Sequence, residues 1–497
     1  MCIIRTVPNK DKASPLVSEL PFAAGVSLAV FALYAATLAP RVLYYAPENF
    51  DSAHLQVVAY VLGIPSFTGY PTYAMLSHLF TYIPFGEVAW RVNLASAVFG
   101  AAAVGVLFFV CRKIGAGRFG SAVGAFAFGV GATVWSQAVI AEVYTLHVLF
   151  MSLFILALLA WRDGRRSGVL IIAAFLGGLA MTNHLTSIFL LPSAILFVFV
   201  VDRSKMFDAK LVLKSAGAFL FGLSPYLYLP VRASMEPPLV DAGPGGNPAT
   251  LSGFLDLVSG GDFKGAMFVF GPVELVERLG LYAGHLIGNL NPALLILSLV
   301  GVFVVWRRDA AVVVLLGAVH FLNLGYALEY DIEDLEIYFV PTYLALCVFL
   351  SVGAGSSVRW VEARFTSVRL ARLAGVAVAV AVLASVPFAY ASADRSGDYL
   401  GREIVEAAAE GTRPDSTVLY HGRTLHYMQI VEGRRKDIAL EDPFYTEDWV
   451  ERAEDALGRG PVYVLYPGAT NTRLYREAGY ELLPVREDML YEVVERR

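Results

Sequence analysis

The sequence predicts an α-helical polytopic membrane protein of about eleven spans with a small α/β domain at its C-terminal end. Three observations carry that prediction. Hydrophobic residues make up 57% of the 497 residues and charged residues only 16%, against roughly 25% charged in an ordinary soluble domain. The apolar residues gather into long runs separated by short charged stretches. The last segment differs: residues 393–497 hold 21 of the 43 acids but 14 of the 38 bases, a net charge of −7, while the 22 acids and 24 bases elsewhere give +2. This apolar excess excludes a disordered chain. The three cysteines, Cys2, Cys111 and Cys347, contain no C-x-x-C pair, which argues against a disulfide framework or a zinc site.

A spanning helix needs about 20 mostly apolar residues. Candidate spans cover residues 21–40, 92–111, 119–140, 143–161, 168–182, 185–201, 212–230, 289–306, 311–328, 338–355 and 373–392. Some are short or interrupted by Gly and Pro, which membranes tolerate where neighbouring helices cover the backbone. The first run is charge-free and lacks a clear cleavage pattern at its end, so it reads as a retained span rather than a signal peptide.

Alternate loops are basic. They carry Arg112, Lys113 and Arg118; Arg162, Arg165 and Arg166; Arg203, Lys205, Lys210 and Lys214; Arg307 and Arg308; and Arg359, Arg364, Arg369 and Arg372. By the positive-inside rule these loops face the cytoplasm, together with the N-terminus and its Arg5, Lys10 and Lys12. An odd number of spans then puts the C-terminal domain outside. The expected location is the cytoplasmic membrane. The expected division is a transmembrane domain over 1–392 and an extracytoplasmic α/β domain over 393–497.

Two outer loops are long, 41–91 and 231–288. In the first, the moderately apolar stretches 54–64 and 72–85 read as interfacial helices, separated by a turn through Gly69 and Pro71. The second is rich in Pro and Gly from Glu236 to Gly246 and ends in an amphipathic stretch near 272–288. In the tail, strand-like runs at 416–420, 437–440 and 461–466 alternate with helix-like runs at 423–432, 446–458 and 470–478. That alternation predicts a parallel sheet. The acidic balance of the tail argues against nucleic acid as a partner.

Ionisable residues near a membrane are costly, so those at the outer span ends are the first candidates for function. They are Asp51, Glu142, His184, Arg232 and the run Asp331-Ile332-Glu333-Asp334-Leu335-Glu336. A carboxylate here can act as a base and a cation can hold a phosphate. Each also has a plainer role. Asp51 fits a helix N-cap before Ser52. Glu142 fits a solvated loop, His184 a satisfied turn, Arg232 a snorkelling side chain, and the acidic run a solvated loop. Gln137, Tyr144 and His147 surround Glu142 in the run Trp135 to His147, and Tyr144 and His147 share a helix face.

These segments resemble the multi-pass proteins related to protein O-mannosyltransferases, within the GT-C glycosyltransferase superfamily. The matching segments are Gly69-Tyr70-Pro71-Thr72-Tyr73, Trp90-Arg91-Val92-Asn93-Leu94, Trp135 to His147, Leu179 to His184 and Tyr226 to Arg232. Asp334 to Pro341 and Tyr427 to Asp437 match more weakly. The chain departs from the family pattern at Asp51-Ser52-Ala53-His54, where His54 replaces a Glu, and at Ser66-Phe67, where His-Pro is expected.

The resemblance implies a GT-C-like fold and transfer of a sugar, mannose or a related hexose, from a polyprenyl-phosphate donor to an extracytoplasmic protein or glycan acceptor. Inversion at the anomeric carbon would use Asp51 as base and Arg232 as the phosphate contact. Glu142 and His184 would orient acceptor or donor, with His54, Tyr70, Gln137, Tyr144 and His147 lining the site. Superfamily members divide on metal need, so a divalent metal is compatible with this reading and no cofactor is required by it. Two other readings remain open. The altered first-loop motif fits a scaffold that has lost activity. A lipid or solute transporter would place ionisable groups mid-span, where this chain has mainly His320 and Asn323.

Overall fold

Inside a bilayer each backbone polar group must be satisfied within its own segment, so the apolar runs fold as helices. The computed structural model describes residues 16–44, 51–65, 68–240, 246–443 and 449–496. Cys2, the N-terminal bases Arg5, Lys10 and Lys12, the Ser66-Phe67 pair, residues 241–245 and the start of the 446–458 run lie outside the described residues.

The bundle opens with α1 (Leu16–Ala36), followed in the first long loop by α2 (Ser52–Val61) and α3 (Pro71–His78). Next come the 26-residue α4 (Val88–Lys113), then α5 (Gly117–Gly129) and α6 (Ala132–Ala138), which meet at a 64° bend. α7 (Tyr144–Gly164), α8 (Ser167–Met181), α9 (Leu190–Asp202) and α10 (Ala209–Gly222) complete the first half. A 3₁₀ turn at Pro225 leads into α11 (Tyr228–Ala233), and α12 (Leu251–Val258) lies in the second long loop. α13 (Pro272–Asn289) and α14 (Pro292–Arg308) meet at 101°, where Pro292 starts a new helix. α15 (Ala310–Leu328), α16 (Val340–Phe365), α17 (Val368–Leu383) and α18 (Val386–Ala393) close the bundle.

Among the described residues, eight helices are long and apolar enough to cross a membrane, or ten if each bent pair is one span. With the 15-residue α8, all eleven apolar runs of the sequence fall on these helices. The basic loops gather at one end of the bundle. There the buried Glu19 pairs with Arg112 and Arg118, Lys113 with Asp163, and Arg162 with Asp309. The first of the two loop helices is not interfacial: Ser52 to Ala59 are buried, because α2 lies between the helical bundle and the C-terminal domain.

That domain contains α19 (Leu400–Gly411), β1 (Thr417–Leu419), α20 (Thr424–His426), β2 (Ala439–Glu441), α21 (Trp449–Leu457), β3 (Val462–Leu465), α22 (Gly468–Glu477), β4 (Tyr480–Arg486) and β5 (Leu490–Glu495). The strand order is β2-β1-β3-β5-β4. β1 pairs in parallel with β2 and β3, as the strand–helix alternation predicts. β5 runs antiparallel to both β3 and β4, so the sheet is mixed and the all-parallel expectation is corrected. The hairpin was hidden because β4 is largely exposed and is broken by a bulge at Pro484. Its turn holds Asp488 at φ 60°.

The tightest helix approach is between α14 and α16, where a methyl on Gly301 would meet the Phe349 carbonyl and one on Gly353 the Leu297 carbonyl. Small residues let membrane helices come this close. Gly353→Ala is expected to cost about 1–3 kcal/mol through overpacking. The check is a lower Tm in detergent micelles. Gly317→Ala, at an open position, should leave Tm within error.

Candidate functional site

The site is built on α4. Ala89, Asn93 and Ser96 lie three or four residues apart and so share one helix face. Asn93 is fully buried. Its Nδ2 donates to the Ala39 carbonyl at 3.0 Å, and its Oδ1 accepts from Gln56 Nε2 at 2.9 Å. Gln56 Nε2 also reaches Ser52 Oγ at 3.4 Å, and Ser52 Oγ accepts from the Ala141 N–H at 3.1 Å. Ser96 Oγ accepts from the Glu142 N–H at 3.0 Å, donates to the Glu142 carbonyl at 3.1 Å and lies 3.0 Å from the Tyr73 hydroxyl. One helix face thereby fixes both α2 and the non-helical turn 139–143 between α6 and α7.

That arrangement brings carboxylates together. Asp51 occupies the N-cap position of α2, but its side chain makes no capping hydrogen bond, so capping does not account for it. Glu142 is 5% exposed, and its Oε2 accepts from the Val143 N–H at 3.3 Å. Burial raises the Glu142 carboxyl well above the usual range, and the charges of Asp51 and Asp334 raise it further. Asp334, half-buried just before α16, is pushed up to about 7 by burial, then by Glu336 and Glu333. Glu142 thus feels two acids from separate loops.

An aromatic wall faces them. Tyr70 sits at φ 34° before Pro71, and its ring stacks on His184 at 6.1 Å and 10°. Thr72 is tied to Thr182 by a 2.5 Å hydroxyl pair. The His184 ring also lies 5.1 Å from Tyr144, 4.9 Å from His147 and 5.9 Å from Tyr338. His184 Nδ1 is 2.7 Å from Thr186 Oγ1, and His147 Nδ1 is 3.1 Å from Ser187 Oγ. Burial pushes His184 down to about 4, so it is uncharged at neutral pH. Tyr330 and Tyr326 extend the wall from Tyr338. Burial, then the Asp51 charge, drives the Tyr70 hydroxyl up.

The other sequence candidates fall at different places. His54 and Gln137 are buried in α2 and α6. Arg232 donates from Nε to the Leu62 carbonyl at 2.8 Å and from Nη2 to the Val61 carbonyl at 3.0 Å. It closes the C-terminal end of α2, and its guanidinium is held there rather than beside the carboxylates. Asp331 and Glu333 are exposed and Glu336 is half-buried. Sequence reasoning missed Asn93, Ser96 and Tyr330 as parts of the site. Arg278 donates from Nε to the Leu328 carbonyl at 2.7 Å, near the exposed Asp331. Asn93 had been visible only inside the Trp90 to Leu94 segment. Among the described residues, no three His, Cys, Asp or Glu side chains are arranged to hold a metal ion.

Residues 51–207 match the family model described as the protein O-mannosyl-transferase TMEM260 N-terminal domain. Protein O-mannosyl-transferase TMEM260 of Mus musculus is 32% identical over 235 residues, covering 46% of this chain and 33% of the mouse protein. The Dictyostelium discoideum protein of the same name is 23% identical over 317 residues, covering 59% of this chain and 38% of that relative. Part of the chain is therefore similar to the TMEM260-type proteins. It spans about a third of the length of these curated relatives. The TMEM260-type match contains Asp51, Tyr70, Glu142, Tyr144, His147 and His184, and leaves Arg232 and the acidic run outside it. In fold the chain is similar to ArnT from Cupriavidus metallidurans bound to undecaprenyl phosphate, with TM-score 0.59 and 14% identity over 96% of this chain and 98% of that one. The apo form gives TM-score 0.51 at the same identity. The chain therefore shares its overall fold with ArnT.

The raised Asp334 carboxyl has a stability consequence. Between the ordinary carboxylate range near 4 and about 7, the folded state holds a proton the unfolded state has lost. Its contribution is full below about pH 4 and is lost as pH rises through about 7. Asp334→Asn is expected to flatten the fall of Tm between pH 5 and 8, measured in detergent. Identical slopes in the two proteins would contradict the assignment.

Proposed function

We propose that the chain is a membrane glycosyltransferase that moves a hexose, mannose or a related sugar, from a polyprenyl-phosphate donor to a hydroxyl of a protein or glycan acceptor. The observation that carries this reading is the convergence of Asp51 and the buried Glu142 beside the Tyr70–His184 stack. Homology to the TMEM260-type proteins supports the reaction class, and the bound undecaprenyl phosphate of the ArnT neighbour supports a lipid-linked donor. An apolar cavity of about 660 Å³ is lined by Met181, Leu185, Leu220, Phe221, Tyr226 and Leu227, and Leu185 follows His184 in the chain. It offers a path for the prenyl chain.

In this mechanism the Asp51 carboxylate takes the proton of the acceptor hydroxyl as its oxygen attacks the anomeric carbon. The new carbon–oxygen bond forms on the face opposite the departing phosphate, so the anomeric configuration inverts. The bond from carbon to phosphate oxygen breaks, and polyprenyl phosphate leaves with the electron pair. Glu142, its carboxyl raised by burial and by two neighbouring acids, can stay protonated and donate a hydrogen bond to the phosphate without like-charge repulsion. Neutral His184, held by Thr186, orients the sugar against Tyr70.

The membrane orientation follows from charge. The carboxylates and the C-terminal domain lie at the end of the bundle away from the Arg- and Lys-rich loops, so we assign that end to the extracytoplasmic side of the cytoplasmic membrane. The replacement at His54 favours the scaffold reading. Against it, the charge of Asp51 acts on the buried Glu142 carboxyl.

Membranes holding the protein would be given labelled polyprenyl-phosphate mannose and an acceptor extract. Transfer is expected to fall about 10²–10⁴-fold in Asp51→Asn at equal protein level, the range for loss of a general base. Unchanged transfer in that variant would remove Asp51 from the chemistry. No transfer by the unaltered protein with any hexose donor would favour the scaffold.

A further inference from the structure

The C-terminal domain and the carboxylate site share one hydrophobic core. Ala53, Val57 and Val58 of α2, Ala74 of α3 and Ala89 of α4 are buried in the same cluster as Ile404, Leu425 and Met428 of the domain. The domain also fastens to the start of α4. The Tyr427 hydroxyl accepts the Ala89 N–H at 3.0 Å, an amide in the first turn of α4 that has no partner within its own helix. Glu87, which precedes α4, has no capping bond of its own. It pairs with Arg402 at 2.9 Å and with Arg41.

Arg402 is the hub of a wider set. It reaches Glu432 at 2.6 Å and Glu406 at 3.1 Å, and Arg434 joins Glu406 at 2.7 Å and Glu432 at 3.2 Å. These groups are half-buried, and a forked network of this kind holds geometry better than an isolated surface pair. Further along, Thr424 Oγ1 donates to the Leu43 carbonyl at 2.9 Å, and the Arg395 N–H donates to the Thr37 carbonyl at 3.0 Å. A methyl on Gly401 would meet the Val42 carbonyl, so α19 lies directly on this backbone.

We infer that the C-terminal domain is a positioning element for the carboxylate site, acting through Tyr427 and Arg402 on the first turn of α4. That turn leads straight to Asn93 and Ser96, which hold the helix behind Asp51 and the backbone of Glu142. Loosening the turn lets both carboxylates drift together, and misplacement by about 1 Å is worth up to about 100-fold in rate. The inference rests on the reading of Asp51 and Glu142 as the reacting pair, but its structural half can be read without any activity.

The test uses the full chain in lipid nanodiscs, with Tyr427→Phe, Arg402→Ala and Arg402→Lys. Tyr475→Phe is the control, since it removes a 2.9 Å bond to the Trp449 carbonyl inside the domain and away from α4. Hydrogen exchange at residues 52–61 and 139–143 is expected to quicken several-fold in Tyr427→Phe and Arg402→Ala, less in Arg402→Lys, and not in Tyr475→Phe. Sugar transfer should fall about 10-fold or more in kcat in the first two, with KM for the donor changed less than about twofold. Unchanged exchange at both segments overturns the inference, whatever the activity does. Quickened exchange equal in the Tyr475→Phe control also overturns it, because the effect would then be general loosening of the domain. If exchange responds as expected while no form of the protein transfers sugar, the positioning stands and the glycosyltransferase reading fails.

Discussion

Two polar side chains one turn apart on α4, Asn93 and Ser96, hold the rest of the candidate site in place. Both are fully buried, and both bond to elements outside their own helix. A buried amide or hydroxyl costs a few kcal/mol if left unpaired, roughly 1–3 kcal/mol by mutational measures. The bundle therefore favours the one arrangement in which Ala39, Gln56 and Glu142 all meet them. That arrangement sets α2 and the 139–143 turn side by side, and with them Asp51 and Glu142. The C-terminal domain closes on the same helix one turn earlier.

The chemistry follows from that enforced crowding. Three acids held near one another with little water cannot all ionise freely, and the ordinary outcome is that one keeps its proton. Glu142, the most enclosed, is the one whose carboxyl is raised by both neighbours. A pair of carboxyls with different protonation states can supply a base and a hydrogen-bond donor at one pH. In the proposed reaction the sugar ring lies against the aromatic wall of Tyr70, Tyr144, His184 and Tyr338, and the apolar cavity lined by Leu185 is assigned to the lipid chain.

Much of this was legible in the sequence, for reasons that can be named. The spans were visible because a bilayer demands long apolar runs, and the bends at Gly131 and Pro292 do not disturb that signal. Asp51, Glu142 and His184 stood out because charges are rare at span ends. The role of Arg232 was not legible, since a cation beside a membrane reads the same whether it binds phosphate or closes a helix. Asn93 and Ser96 were hidden because single small polar residues inside an apolar run carry no pattern of their own. The β4–β5 hairpin was hidden by Pro484 and by an exposed face with little alternation. The burial of one side of α2 depends on a domain some 350 residues away, which no local pattern encodes.

The central claim is that Asp51 and Glu142 work as one unit. A double-mutant cycle of Asp51→Asn and Glu142→Gln on the rate of sugar transfer addresses it most directly. Groups acting as a unit are strongly non-additive, so the double variant should be about as slow as the more damaging single one. If instead the two losses multiply, the carboxylates act independently and the account of a shared site is contradicted.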